Sequence, residues 1–116
     1  MADREHADTV RTFFDAMNAQ DADAAAVLVS DDVAVEIGPH RLAGRSAVRE
    51  LALQTDDQLE FETTVLTIDA GAETEVTARA SRTQRWRSSG EVAAEEELHA
   101  RFTFDGDGAI SRIVLA

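Results

Sequence analysis

The sequence predicts an α+β domain: a cone made of a curved antiparallel β-sheet with three helices, all from the N-terminal half, packed on its concave face. Three observations carry this prediction. Apolar residues recur at helical spacing over residues 4–19. Almost everything after residue 59 reads as strand and turn. The third observation is a pair of runs, 74–86 and 92–104, on either side of RSSGE. With Trp86 opposite Val92, Arg82 faces Glu96, Ala80 faces Leu98, Ala78 faces Ala100 and Val76 faces Phe102. The alternate set pairs Arg85 with Ala93, Thr83 with Glu95, Ser81 with Glu97, Arg79 with His99 and Thr77 with Arg101. One face is apolar and the other polar, as in a half-buried antiparallel hairpin. A slip of one residue would mix the two sets.

The elements follow in order. Ala7, Val10, Phe13, Phe14 and Met17 form the apolar stripe of the first helix. Asp3, Glu5 and Asp8 lie near its positive end, where acids are favourable. Asp21 or Asp23 caps a short second helix through Leu28, and Ser30-Asp31-Asp32 ends it. Residues 33–37 alternate as a strand, stopped by Gly38-Pro39. Residues 40–44 read as a loop. Ser46 caps a third helix with Ala47, Val48, Leu51 and Ala52 as its apolar side, fading at Thr55-Asp56-Asp57. Residues 59–68 form a strand of ambiguous facing: Leu59, Phe61 and Val65 share one parity, Leu66 and Ile68 the other. A bulge would reconcile them. A two-residue Ala70-Gly71 turn would then set Glu62 opposite Arg79. The DGDG of residues 105–108 is a hairpin turn before a closing strand at 110–115.

Composition narrows the function classes. At 116 residues the chain is expected to be a single domain over residues 1–116. The net charge of −12 repels a phosphate backbone, so nucleic acid is not an expected partner. No run is apolar for long enough to span a membrane, and the N-terminus lacks an apolar signal region, so the cytoplasm is the expected compartment. There is no cysteine. The histidines and nearby acids show no metal-ligand spacing, and no phosphate loop is present, so neither metal nor cofactor is expected. A cone capped by helices tends to enclose a pocket for an apolar small molecule.

The chain resembles the nuclear transport factor 2-like superfamily, and within it the SnoaL-like and ketosteroid-isomerase-like bacterial proteins. The resemblance rests on TVRTFFDAMNAQDADAAAVLVSDDVAVEI, on LAGRSAVRE and on LHARFTFDGDGAISRI. It implies the cone fold, an interior pocket and a homodimer through the convex sheet face. The fold hosts isomerases, cyclases, epoxide hydrolases, dehydratases and non-catalytic binders, so it does not fix a reaction. The tyrosine of the ketosteroid isomerases matches Phe13, their general-base aspartate matches Ile37, and their second oxyanion-hole acid matches Ala100. Epoxide hydrolases of this superfamily carry an Arg-x-Asp that matches Arg82-Thr83-Gln84, and a last-strand acid that matches Leu115. An amide cannot act as a general base.

What remains for chemistry is Arg82, Glu96 and His40. Arg82 would orient a carboxylate or enolate oxygen, and Glu96 would act as base. The competing reading is a cross-strand ion pair. His40, between the first strand and the third helix, would be an acid or base at the pocket mouth; the alternative is a solvated loop histidine. The expected pocket lining is Phe13, Met17, Phe61, Gln84, Trp86, Ala100 and Phe102, with plain core burial as the other reading of the apolar ones, except that Trp86, near the hairpin tip, is as readily a lid or a dimer contact. Three functions stay open: a cofactor-independent isomerase, cyclase or hydrolase acting on an apolar or polyketide-like substrate; a non-catalytic ligand-binding module; and a dimerisation domain.

Overall fold

The computed structural model describes residues 2–53, 57–72 and 74–116. In chain order these form α1 (Ala2–Asn18), α2 (Ala22–Ala26), β1 (Val29–Ile37), β2 (His40–Ala43), α3 (Arg45–Ala52), β3 (Leu59–Ala72), β4 (Glu75–Trp86), β5 (Val92–Phe104) and β6 (Ile110–Leu115). The strands make one curved, open sheet in the order β2-β1-β6-β5-β4-β3. All neighbours are antiparallel except β1 and β6, which run parallel. The expected positions of the Asp3 carboxylate and of the helix end at Thr55 and Asp56 lie outside the described side chains and residues.

The apolar stripe of α1 is the reason the helix docks. Val10, Phe13 and Phe14 are buried against Val33 and Val35 of β1, Val76, Ala78 and Ala80 of β4, Phe102 and Phe104 of β5, and Ile110 and Ile113 of β6. Phe13 and Phe14 meet Phe102 edge-on, with ring centroids 5.5 and 5.8 Å apart. This aromatic trio joins the helical layer to the centre of the sheet. His6 is half-buried at the start of the same helix, its ring stacked on Phe104 at 4.0 Å.

Asn18 ends α1 and ties it to the edge of the sheet. Its Nδ2 donates to the Thr63 carbonyl at 2.7 Å, and its Oδ1 accepts from the Thr63 N–H at 2.9 Å. The side-chain amide thus does for Thr63 what a neighbouring strand would do. Asn18→Ala is expected to cost about 1–2 kcal/mol by leaving both groups without a protein partner. A urea-unfolding midpoint indistinguishable from wild type would show that the clamp contributes nothing. Asp21 follows and caps α2, its Oδ1 accepting from the Ala24 N–H at 3.1 Å.

The hairpin register holds from Val76–Phe102 through Arg82–Glu96 to Gln84–Ala94. Beyond that an extra residue, Ala93, enters β5, and Arg85 pairs with Val92 instead of Ala93. The turn sets this: Gly90 donates to the Trp86 carbonyl at 2.8 Å, and its φ of 75° is one that a side chain would strain. A bulge in β3 between Val65 and Thr67 resolves the mixed facing there, leaving Leu66 exposed while Val65 and Ile68 pack on the core.

Four local expectations are corrected. Residues 69–72 are not a turn; β3 continues to Ala72, so Glu62 pairs with Thr83 and not with Arg79. Residues 40–43 are not a loop; they form β2, which folds back on β1. Ser30-Asp31-Asp32 does not end an element but lies inside β1, whose pairing with β6 is irregular between Val29 and Ala34. Ser46 does not cap α3. Gly44 holds the cap position at φ 91°, ψ 163°, conformational space nearly confined to glycine, and its N–H is spent on the Val33 carbonyl at 2.8 Å. Arg45, the next residue, reaches across to β1. Its Nε and Nη2 donate to the Val29 carbonyl at 3.2 and 3.0 Å, and its Nη1 lies 2.6 Å from Asp31.

Candidate functional site

A cavity of about 800 Å³, open on one side, lies between the helices and the concave side of the sheet. That is the size range of small-molecule sites. Its inner wall is apolar: Phe13, Phe14 and Met17 from α1, Ile37 from β1, Leu51 and Ala52 from α3, Leu98 from β5, Ile113 and Leu115 from β6. Polar groups come from three places, the first being Asn18 and Gln20 at the end of α1. His40 stands on β2 beside Leu42, and the outer part of the β3–β4 ladder adds Glu60, Glu62, Thr63, Arg82, Thr83, Arg85 and Arg87.

Arg82 is the best-positioned of these. Its guanidinium carbon lies 4.8 Å from the centre of the Phe61 ring, a cation–π contact with a residue that also lines the cavity. Its Nε is 3.0 Å from Glu96 Oε1, across the hairpin. The Nε is shielded from solvent, yet its N–H is not aligned on that oxygen as a hydrogen bond. The pair is therefore a close ionic contact with donor capacity left over. It is half-exposed, so its contribution to stability is small. What it does is fix the guanidinium: the ring on one side and the carboxylate on the other restrict a long, flexible side chain.

The residues singled out in the sequence fall into three groups. Arg82, His40, Phe13, Met17 and Phe61 line the cavity together. Glu96 is not among the lining residues and reaches the site only through Arg82. Gln84, Trp86, Ala100 and Phe102 are not lining residues either. Ala100 and Phe102 are consumed by the core, and Trp86 stays 41% exposed near the hairpin tip. Ile37 and Leu115, where relatives are expected to carry acids, do line the cavity, so those positions present hydrocarbon to it. Arg85, Arg87, Glu60 and Glu62 were not anticipated. By strand alternation Arg85 and Arg87 belong to the set opposite Arg82, so period-two reasoning had no means of bringing them to the opening.

Among the described residues no group of three His, Cys, Asp or Glu side chains is arranged to hold a metal ion, and no helix is long and apolar enough to cross a membrane. The outer face of the sheet carries charged ladders: Arg79 with Glu97 at 2.6 Å, His99 near the same carboxylate at 3.7 Å, Arg101 with Glu75 at 3.5 Å, and Glu36 between Arg41 and Arg112.

A family model for the SnoaL-like domain matches residues 10–113. No functionally curated protein matches the sequence. Among solved structures, a candidate polyketide cyclase from Xanthomonas campestris superimposes with a TM-score of 0.84 at 21% identity, covering 99% of this chain and 91% of that one. An LEH-like epoxide hydrolase from Mycobacterium tuberculosis gives 0.76 at 19% identity, covering 97% and 81%. Another Mycobacterium tuberculosis protein, solved in complex with estradiol-17β-hemisuccinate, gives 0.74 at 14% identity, covering 92% and 88%. At these identities the likeness is one of fold.

Proposed function

The chain belongs to the SnoaL-like domain family, and on that premise we propose that it binds an apolar small molecule in the cavity, with one polar oxygen of the ligand directed at Arg82. The observation that carries this reading is a well-held guanidinium, Arg82, packed on the Phe61 ring at the wall of a cavity whose inner part is lined by Phe, Leu, Ile and Met. The apolar body supplies most of the binding free energy through burial, and the arginine fixes its direction. The neighbour solved with a steroid ester supports the use of this fold for such ligands.

The test is native mass spectrometry of the purified chain, followed by identification of any co-purifying ligand. Arg82→Met keeps most of the aliphatic stem but removes the guanidinium with its donors and its cation–π contact to Phe61. It is expected to weaken ligand binding about tenfold, equivalent to losing one charge-assisted hydrogen bond, with little change in stability. Equal retention of ligand by both forms would remove Arg82 from the site.

Catalysis is the second reading, and one observation favours it: His40 and Arg82 line the same cavity. The pair would supply a proton-transfer group and an electrophilic partner for a developing oxyanion, which is what a cofactor-independent isomerase, cyclase or hydrolase needs. Glu96, bound to the far side of Arg82, acts in this reading as a positioning residue. The helix-free convex face, with its charged ladders, supports the association of two copies through that surface. Sedimentation of the chain at low and high salt tests it.

A further inference from the structure

We infer, on the pocket reading above, that the cavity takes uncharged molecules with a carbonyl-type acceptor oxygen and discriminates against carboxylates. Glu96, which does not line the cavity, sets this preference by neutralising Arg82.

The register puts Glu96 on the inner side of β5. It is the cross-strand partner of Arg82, and Leu98, two residues on and so on the same side, lines the cavity. Glu96 Oε1 lies 3.0 Å from Arg82 Nε. Among the described residues, each is the other's only ion-pair partner. The charge of the guanidinium is therefore balanced before a ligand arrives. Its hydrogen-bonding capacity is not, because a guanidinium has more N–H donors than one carboxylate contact occupies. Since a guanidinium only donates, the group it receives from a ligand must be an acceptor.

The rest of the lining offers an acid no surplus positive charge. Arg85 and Arg87 are matched in number by Glu60 and Glu62, and Glu60 lies 3.4 Å from Arg87. The chain as a whole carries −12, so an anion approaches against the field of the protein. The inner wall is hydrocarbon from α1, α3, β5 and β6. There an ionised carboxylate would lose its hydration while the nearest guanidinium is already neutralised. It would also face a second carboxylate, that of Glu96, across Arg82. A ketone, ester or lactone oxygen gives up far less hydration and still receives the donated hydrogen bond.

The experiment uses two fluorescent probes of one shape on the full chain: a dimethylamino-naphthyl methyl ketone and the corresponding naphthoic acid, at a pH where the acid is ionised. The two differ by a methyl group in place of an oxygen. The wild-type chain is expected to bind the ketone about tenfold tighter than the carboxylate. Glu96→Gln keeps the shape and removes the charge, so it should tighten carboxylate binding about tenfold and close most of the gap. Glu96→Asp keeps the charge and should keep the preference. Glu97→Gln, beside Arg79 on the opposite face, makes the same change in net charge and should leave the ratio unmoved. Equal wild-type binding of the two probes, or a ratio that shifts no more in Glu96→Gln than in Glu97→Gln, overturns the inference while the pocket reading stands. Failure of both probes to bind overturns the two together. The wild-type comparison needs no variant, and a gain in carboxylate affinity cannot arise from loss of structure.

Discussion

Phe102→Ala is expected to destabilise the chain by about 3–5 kcal/mol, the cost of losing a buried phenyl and leaving a cavity. Phe102 has no exposed surface. It is the sheet's member of the Phe13–Phe14–Phe102 trio, and it pairs with Val76 on one side and Ile113 on the other. Few neighbours can collapse into the space, because β4, β5 and β6 are held in place by their ladder hydrogen bonds. A domain of this size has about 5–15 kcal/mol in hand, so the variant sits near the edge of folding. Its melting temperature should fall by roughly 15 °C or more. Phe102→Leu keeps most of the volume and should cost well under half as much. A loss below about 1 kcal/mol for the alanine variant, by chemical or thermal unfolding, would mean that α1 does not depend on this contact.

Arg45→Ala is expected to cost about 2–3 kcal/mol, through the loss of two charge-assisted hydrogen bonds to the Val29 carbonyl. Arg49→Ala is the internal control. Each arginine side chain is 45% exposed, and each pairs with a largely exposed aspartate, Asp31 for Arg45 and Asp23 for Arg49. Exposed ion pairs of that kind are worth about 0–1 kcal/mol. The difference between the two variants therefore isolates the carbonyl contact, which holds the irregular start of β1 against β6. Arg45→Lys keeps the charge but loses the fork and should recover less than half of the loss. Equal urea midpoints for the Arg45 and Arg49 variants would refute this role.

Much of the architecture was legible because two periodicities were clean. The stripe from Ala7 to Met17 could only be a helix with one buried face, and the Arg82–Glu96 register could not slip without mixing apolar and charged sets. The resemblance to the superfamily added the order of the elements. Local turn chemistry misled. Asp69-Ala-Gly has turn residues, yet β3 continues to Ala72 and takes them up as an irregularity in its ladder with β4, because pairing on either side outweighs a weak local preference. β2 was missed because four exposed residues show no alternation against a core. The role of Arg45 was not legible because its partner, Val29, is sixteen residues away and contributes a backbone oxygen that no side-chain pattern marks.

The site was legible in part for the same reason. Arg82 and Phe61 follow from parity, whereas the division of the aromatics between core and cavity depends on how α1 lies across the sheet. That placement sends Phe102 to the core and keeps Phe13 and Met17 at the cavity wall. That Glu60 pairs with Arg87 and not with its cross-strand neighbour Arg85 is decided by relative distances alone.

The Asn18 clamp has a consequence beyond joining a helix to a strand. β3 is the longest strand in the chain and sits at the border of the sheet, where unpaired main-chain groups invite another molecule to add a strand. Asn18 occupies the two groups of Thr63 that such an intruder would need, and three residues on the bulge at Leu66 breaks the spacing it would have to follow. One amide and one surplus residue thus interrupt the border at two points, which disfavours the addition of another strand along it.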